Sequence, residues 1–134
     1  MSEKFHIKHD SGTRLIATVG DYQVVTGKGD PNTGEDGMSP GQLFTTSLGA
    51  CIAVTLLTYC KNHGIPYQGM EVEMEREQTE DGRRLKSAKL LVKLPAKLSE
   101  KDLEVLNRVA HRCYVGQSIK NGAEIEINIA ISGA

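Results

Sequence analysis

The chain has 134 residues, and its 16 Lys and Arg nearly balance its 17 Asp and Glu, leaving a net charge of −1. That balance supplies no global field for binding a nucleic acid or an acidic membrane. Aromatic residues make up only 4% and tryptophan is absent, which argues against a surface on which bases stack. The length predicts a single domain, residues 1–134, with a limited core.

The sequence contains no obvious targeting signal. Its first ten residues, MSEKFHIKHD, lack the apolar segment of a signal peptide. The longest apolar run is interrupted by Thr55, Thr58 and Tyr59, so we expect no membrane-spanning segment. These features predict a cytoplasmic protein with neither a membrane nor a nucleic acid as partner.

The predicted elements alternate between strands and helices. Gly12 and Gly20 mark turns between short apolar-polar strands, and Ser39 followed by Pro40 is typical of a helix start. In chain order we predict strands 4–9, 13–19 and 22–26, a polar loop 27–38, a long helix after Ser39 that ends near His63-Gly64, strands 70–77 and 86–94 in a hairpin with acidic and basic outer faces, a helix 99–112, a short helical turn 115–119 and a last strand 123–132.

This order predicts an α+β fold with antiparallel sheets and two main helices. The long helix carries apolar side chains around most of its circumference, so it is predicted to be buried on more than one side. Leaving such side chains in water costs about 1.5–3 kcal/mol each, and a homodimer would cover the surplus. The side chains concerned are Leu43, Phe44, Leu48, Ile52, Leu56 and Leu57.

The three cysteines are too few and too scattered for a secreted disulfide scaffold, and the chain has no CxxC pair typical of zinc. A thiol such as Cys51, within a small and apolar helical stretch, is a packing residue, a metal ligand, half of a disulfide or a nucleophile. Cys60 follows nine residues later, about 900° around the helix, so the two thiols face opposite sides. Cys60 is predicted to be structural.

The third cysteine has a different setting. Cys113 follows His111 and Arg112 at a predicted helix-to-turn junction, and Arg108 precedes it by about 1.4 helical turns. Nearby cations, or the amino end of a helix, favour the thiolate form of a cysteine. The simpler reading of His111 is a solvated residue at a helix end, where it interacts with the helix dipole.

Two segments, SPGQLFTTSLGAC on the long helix and HRCYVGQSIKNGAEIEINI after the second, resemble the OsmC/Ohr family of osmotically inducible and organic hydroperoxide resistance proteins. The resemblance extends over nearly the whole order of elements. It implies an OsmC-like two-layer fold in an intertwined homodimer with a long buried central helix. It also implies a thiol peroxidase that reduces organic hydroperoxides, and hydrogen peroxide, in oxidative stress defence.

In that family chemistry, the resemblance implies that Cys51 is the peroxidatic cysteine and Cys113 the resolving one. Cys51 would form a sulfenic acid, and Cys113 would condense with it to a disulfide. The reductant would be a lipoyl protein, thioredoxin or a small thiol, and no cofactor or metal is expected. The competing hypothesis is a non-enzymatic OsmC-like dimer that binds a small hydrophobic ligand in an interface cleft.

The residues that would activate the thiols are less clearly matched. The family's peroxidases carry a glutamate nine or ten residues before the first cysteine, and an arginine from the strand or loop before the helix. This chain has Gly41 and Gln42 at the first positions, and Lys28 is the cation of the preceding loop. The candidates for activating the thiols or positioning the substrate are Lys28, Glu35, Gln42, Arg108, His111 and Arg112.

Overall fold

A computed structural model describes residues 3–32 and 35–130. Its elements are β1 (His6–Ser11), β2 (Arg14–Val19), β3 (Tyr22–Thr26), α1 (Pro40–Asn62), β4 (Glu71–Gln78), β5 (Leu85–Lys93), α2 (Glu100–Ala110) and α3 (Tyr114–Asn121). The predicted α+β class is confirmed, and the short helical turn predicted before the C-terminus is a third helix, α3.

The chain forms two compact units. The first comprises Met1–Ser47 with Met74–Lys89, and the second Leu48–Glu73 with Leu90–Ala134. Helix α1 and the β4–β5 hairpin each contribute residues to both units. The prediction of a single domain therefore stays a prediction.

Strands β1, β2 and β3 form an antiparallel sheet in the first unit, in the order β1-β2-β3. Ile16 lies opposite Lys8 of β1 and opposite Val25 of β3. The register shifts between His9 and Ser11, which is the signature of a bulge near the end of β1. The three N-terminal strands predicted from the sequence are confirmed.

The loop after β3 is held at both of its ends. The amide of Gly27 donates to the carbonyl of Met38 (2.9 Å), and the amide of Gly37 donates to the carbonyl of Gly27 (2.9 Å). Gly27 has φ +84°, and a Cβ on Gly37 would collide with the carbonyl of Val25. These two positions therefore require glycine, and they fix where the chain enters α1.

Helix α1 begins with a reciprocal capping box. The amide of Gln42 donates to Ser39 Oγ (3.1 Å), and the amide of Ser39 donates to Gln42 Oε1 (2.9 Å). Two amides that the helix leaves without partners are thereby satisfied. The predicted Ser39 cap is confirmed, and Gln42 is its second member.

The core of the second unit lies between α1 and α2. Leu56 and Cys60 of α1 pack with Leu106 and Val109 of α2, and all four are at most 6% exposed. Burial raises the pKa of the Cys60 thiol. This side chain behaves as a small apolar core residue, as predicted.

Strands β4 and β5 form the predicted hairpin as a two-stranded sheet. In the second unit, Lys93 Nζ lies 2.8 Å from Glu73 Oε1. The expected pairing of basic and acidic side chains across the hairpin therefore occurs. Both side chains are more than half exposed, so the ion pair contributes little to stability.

The predicted last strand, 123–132, is not a strand in the described residues 123–130. Ile125, Ile127 and Ile129 alternate as predicted, yet they are 82%, 78% and 94% exposed. A strand requires a hydrogen-bonded neighbour, and apolar alternation alone does not supply one. Residues 131–132 of this prediction lie outside the described part.

Two expectations concern helix α1. Only Gly49, Leu56 and Cys60 of α1 are buried, so the predicted burial on several sides is not met within one chain. By length and composition α1 is apolar enough to cross a membrane despite Thr55, Thr58 and Tyr59, and 17% of its most apolar window is buried; the expectation of no membrane-spanning segment stays a prediction. The core helix of a soluble protein passes the same test.

The α1–α2 core allows a matched pair of substitutions on one helix. Leu106→Ala should lower the free energy of unfolding by about 2–5 kcal/mol, because it leaves a cavity in a packed core. Leu103→Ala, at a position 46% exposed, should cost under about 1 kcal/mol. Urea unfolding followed by circular dichroism measures both, and equal losses would contradict the assigned core.

Candidate functional site

The amino-terminal turn of α3 brings two thiols together in the second unit. Cys113 is the N-cap of α3, and its Sγ accepts a hydrogen bond from the amide of Gly116 (3.2 Å). The amide of Val115, in the same turn, donates to Cys51 Sγ of α1 (3.5 Å). Cys51 and Cys113, which are 62 residues apart in the chain, therefore accept hydrogen bonds from two successive backbone amides. Neither cysteine forms a disulfide.

The amino end of α3 favours negative charge on the two sulfurs that lie next to it. The amides in the first turn of a helix lack intrahelical partners and carry partial positive charge. A thiolate is stabilised there in the same way as any other anion. The turn can therefore support negative charge that develops on either sulfur.

Cys113 is only 1% exposed. Burial raises the pKa of its thiol, the nearby Cys51 adds to the rise, and the Gly116 amide and the Lys120 ammonium oppose it. The pKa of Cys113 remains above its ordinary value. The raised pKa favours the protonated thiol of Cys113, which can donate a hydrogen bond to the sulfur of Cys51.

Gly116 permits the close approach of the sulfur to the helix. A Cβ at this position would lie 2.8 Å from Cys113 Sγ and 3.8 Å from Leu48 Cδ1. The first distance is shorter than a carbon–sulfur contact allows, so any side chain here would displace the thiol. Glycine at this position is required by the site, whereas helix propensity would favour alanine.

Lys120 is a site residue that the sequence analysis missed. Its Nζ lies 3.0 Å from Nδ1 of His111, and its charge lowers the pKa of Cys113. Lys120 follows Cys113 by seven residues, close to two full helical turns, so both belong to one face of α3. That spacing was the signal available in the sequence.

A cavity of about 650 Å³ lies in the second unit next to these residues. The side chains that line it are apolar except for those of Asn107 and His111, and polar atoms also contribute to its surface. Ile52, the neighbour of Cys51 in α1, also contributes to it. The remaining lining residues are Leu56, Leu90, Leu91, Val92, Leu94, Ala96, Leu98, Leu103, Leu106 and Ala110.

Residues 32–128 match the family of OsmC-like proteins. The chain belongs to the OsmC-like family. The resemblance inferred from the two cysteine-containing segments is thereby confirmed. A search of curated proteins finds no match for this OsmC-like chain.

Solved structures of the family share the fold of this OsmC-like protein. An OsmC-like protein from Mycoplasma pneumoniae is 16% identical with a TM-score of 0.74, over 91% of this chain and 89% of that one. An organic hydroperoxide resistance protein from Legionella pneumophila is 18% identical with a TM-score of 0.62, over 90% of each chain. The organic hydroperoxide resistance protein OhrB of Bacillus subtilis is 21% identical with a TM-score of 0.59, over 91% of this chain and 93% of that one.

The candidates from α2 and its end have different environments in this OsmC-like protein. His111 caps α2, accepts from Gln117 Nε2 through its carbonyl (2.6 Å) and contacts Lys120. Arg108 and Arg112 are exposed, and their guanidinium groups make no hydrogen bond or ion pair with another described residue. The cation that acts on Cys113 is therefore Lys120, and neither arginine replaces it.

The other three candidates lie in the first unit. The carbonyl of Lys28 accepts a hydrogen bond from the amide of Thr13 (2.8 Å), while the residue itself is exposed. Glu35 is exposed as well. The side-chain carbonyl of Gln42 is occupied by the α1 capping box, which gives this residue a structural role. Within residues 3–32 and 35–130, no group of three His, Cys, Asp or Glu side chains is placed to hold a metal ion.

Replacing Lys120 tests its influence on Cys113. In a Cys51→Ser, Cys60→Ser background, Lys120→Met should raise the pKa of Cys113 further, because it removes a cation that favours the thiolate. The reaction of Cys113 with a small methanethiosulfonate, followed against pH by mass spectrometry, reports that shift. Lys120→Arg should restore the original profile, and an unchanged profile in Lys120→Met would contradict the assignment.

Proposed function

We propose that this OsmC-like protein is a thiol peroxidase that reduces organic hydroperoxides, with Cys51 as the attacking thiol and Cys113 as the resolving thiol. The observation that carries the proposal is the pair of free thiols that accept hydrogen bonds from adjacent amides of one helical turn. Two thiols so close together, at a turn that favours anionic sulfur, suit a reaction in which each in turn acts as a nucleophile.

The reaction has three balanced steps. The Cys51 thiolate attacks the distal peroxide oxygen, the O–O bond breaks, and the alkoxide takes a proton and leaves as an alcohol, with Cys51 oxidised to a sulfenic acid. The sulfur of Cys113 then attacks the sulfenic sulfur, and a disulfide forms with loss of water. An external dithiol reduces the disulfide by thiol–disulfide exchange and is itself oxidised.

The different environments of the thiols support this division of roles. Cys51 is half-buried, whereas Cys113 is almost fully buried, so an incoming peroxide has better access to Cys51. The Val115 amide is placed to stabilise charge on the Cys51 sulfur. The raised pKa of Cys113 keeps it protonated until the second step, when Lys120 and the Gly116 amide assist its ionisation.

The apolar cavity supports an organic hydroperoxide as substrate. Its volume of about 650 Å³ accommodates an alkyl or aryl group, which would contact the leucine, isoleucine and valine side chains of its lining. The related proteins from Legionella pneumophila and Bacillus subtilis are both described as organic hydroperoxide resistance proteins. We assign oxidative stress defence in the cytoplasm, with a lipoyl protein, thioredoxin or a small thiol as the reductant.

The same cavity favours one alternative function. A non-enzymatic dimer that holds a small hydrophobic ligand would use the same apolar wall, and Cys51 would then be a small neighbouring residue. The two functions differ in turnover, because only the peroxidase consumes peroxide and oxidises its thiols.

Peroxide treatment should link the two thiols. One equivalent of cumene hydroperoxide should produce a Cys51–Cys113 disulfide, which peptide mass spectrometry detects. With excess dithiothreitol, Cys51→Ser should reduce peroxide consumption to background. Cys113→Ser should still form the sulfenic acid at Cys51, which dimedone traps. Without dimedone, that sulfenic acid should over-oxidise, because no second thiol is present to form a disulfide with it.

Cys60→Ser is the matched control, since Cys60 lies in the α1–α2 core away from the amides of α3 and should retain peroxide consumption. Reduced thiols after treatment, or modification of Cys60 alone, would defeat the peroxidase. A hydrophobic compound that co-purifies in native mass spectra, is retained by Cys51→Ser and is accompanied by no turnover would support the binding function.

The exposed apolar surface supports a homodimer of this chain. Phe44 and Val54 of α1 are 44% and 61% exposed, and Ile125, Ile127 and Ile129 are almost fully exposed. The alternating C-terminal segment has no strand partner in the described part of its own chain. A second copy could offer it one and cover α1 at the same time.

Sedimentation equilibrium at low micromolar concentration should give twice the chain mass of 14.6 kDa. Replacing Ile125, Ile127 and Ile129 together by Thr retains β-propensity and removes apolar area, so it should weaken the dimer without unfolding each chain. A mass near 14.6 kDa for the unaltered protein would contradict the dimer.

A further inference from the structure

A second cavity lies in the first unit, between the tip of the β4–β5 hairpin and the start of α1. Its volume is about 320 Å³. Three arginines line it, Arg76, Arg83 and Arg84, and no acidic residue is among its lining in the described part of the chain. Three positive charges around one small space favour the binding of an anion.

Arg76 is the best-placed of the three. It is half-buried, and its Nη1 makes one long hydrogen bond, 3.4 Å, to the hydroxyl of Thr45. Among the described residues it forms no salt bridge. A partly buried guanidinium bonded only to a neutral hydroxyl retains most of its donors for a ligand.

Gly41 provides the space in front of this guanidinium. A Cβ at position 41 would lie 3.3 Å from Arg76 Nη1. A larger side chain here would fill the cavity or engage the guanidinium. The first turn of α1 thus approaches Arg76 without covering it.

The turn of the hairpin positions the other two arginines. Asp81 Oδ1 accepts from the hydroxyl of Thr79 (2.6 Å) and from the amide of Arg83 (3.1 Å). The Thr79 hydrogen bond, with that amide, lowers the pKa of Asp81. This carboxylate therefore organises the turn, and the guanidinium groups of Arg83 and Arg84 make no ion pair with another described residue.

We propose that this cavity binds a dianionic phosphate group carried by a small organic molecule. Guanidinium groups bind phosphate oxygens through paired, charge-assisted hydrogen bonds, and a dianion compensates three arginines better than a single carboxylate does. The lining also includes the apolar side chain of Leu85, which would contact the organic part. The cavity lies near the lower end of the usual range for small-molecule sites, so the ligand is small.

Isothermal titration calorimetry with phenyl phosphate, inorganic phosphate and benzoate tests the proposal. Phenyl phosphate should bind most tightly, with inorganic phosphate weaker by about tenfold because it lacks the apolar group. Benzoate, which carries the ring with one negative charge, should also be weaker than phenyl phosphate. All three probes are titrated into the full-length protein at the same ionic strength.

Substitutions then localise the site. Arg76→Gln should weaken phenyl phosphate by at least about tenfold, and Arg76→Lys by less, since it retains the charge without the planar fork. Arg83→Gln and Arg84→Gln, at exposed positions, should each cause a smaller loss. Gly41→Glu should abolish binding, because its carboxylate would occupy the space facing Arg76. Thermal melting confirms that each variant is folded.

The matched control is Lys86→Gln, which removes one positive charge from an exposed position on β5 that does not line the cavity. It should leave the affinity for phenyl phosphate unchanged. Equal losses in Lys86→Gln and Arg76→Gln would show non-specific charge attraction and overturn the site. Absence of phenyl phosphate binding, or benzoate binding as tight, would also overturn it. None of these results depends on peroxide turnover, so this proposal and the peroxidase can fail separately.

Discussion

The amides of Val115 and Gly116 impose the constraint on which the thiol site depends. Each donates to a different sulfur, one from α1 and one from the cap of α3 itself. A helix has donors without intrahelical partners only in its first turn, so the chain must end α2 and start α3 where α1 presents Cys51. The break between the two short helices leaves these amides available to the sulfurs, because a continuous helix would satisfy them internally.

The polar neighbours of each sulfur, and not burial alone, distinguish the environments of Cys60 and Cys113. Cys60 and Cys113 are both almost inaccessible to solvent, and burial raises the pKa of each. Cys60 is packed among apolar side chains, whereas Cys113 also has an amide, an ammonium and a second sulfur nearby. The difference in chemistry comes from these polar neighbours, which counteract the cost of charging a buried sulfur.

Helix α1 and the C-terminal segment both expose apolar side chains that a second chain could cover. Helix α1 buries few of its residues, and the isoleucines of the C-terminal segment are exposed although their spacing suits a half-buried strand. Both features have the same physical origin, which is apolar side chains without a covering partner in the described residues. The proposed dimer would cover both surfaces with one interface, and it would give the long apolar helix the surroundings that its composition requires.

The sequence alone predicted the features that depend on residues close together in the chain. Ser39 and Pro40 marked the start of α1, alternation marked the hairpin, and the spacing of Cys51 and Cys60 separated their faces, because each depends on neighbours a few residues away. The two segments around Cys51 and Cys113 were also sufficient to indicate the OsmC-like family.

The tertiary structure decided which distant groups meet. It placed the Val115 amide on the sulfur of Cys51, and it selected Lys120 over the two arginines as the cation acting on Cys113. It also left the segment 123–130 without a strand partner. Such contacts depend on where helices end and how they pack, and a long side chain can point in many directions from a given position. Periodicity specifies the face of an element, whereas the group opposite that face is determined only when the chain has folded.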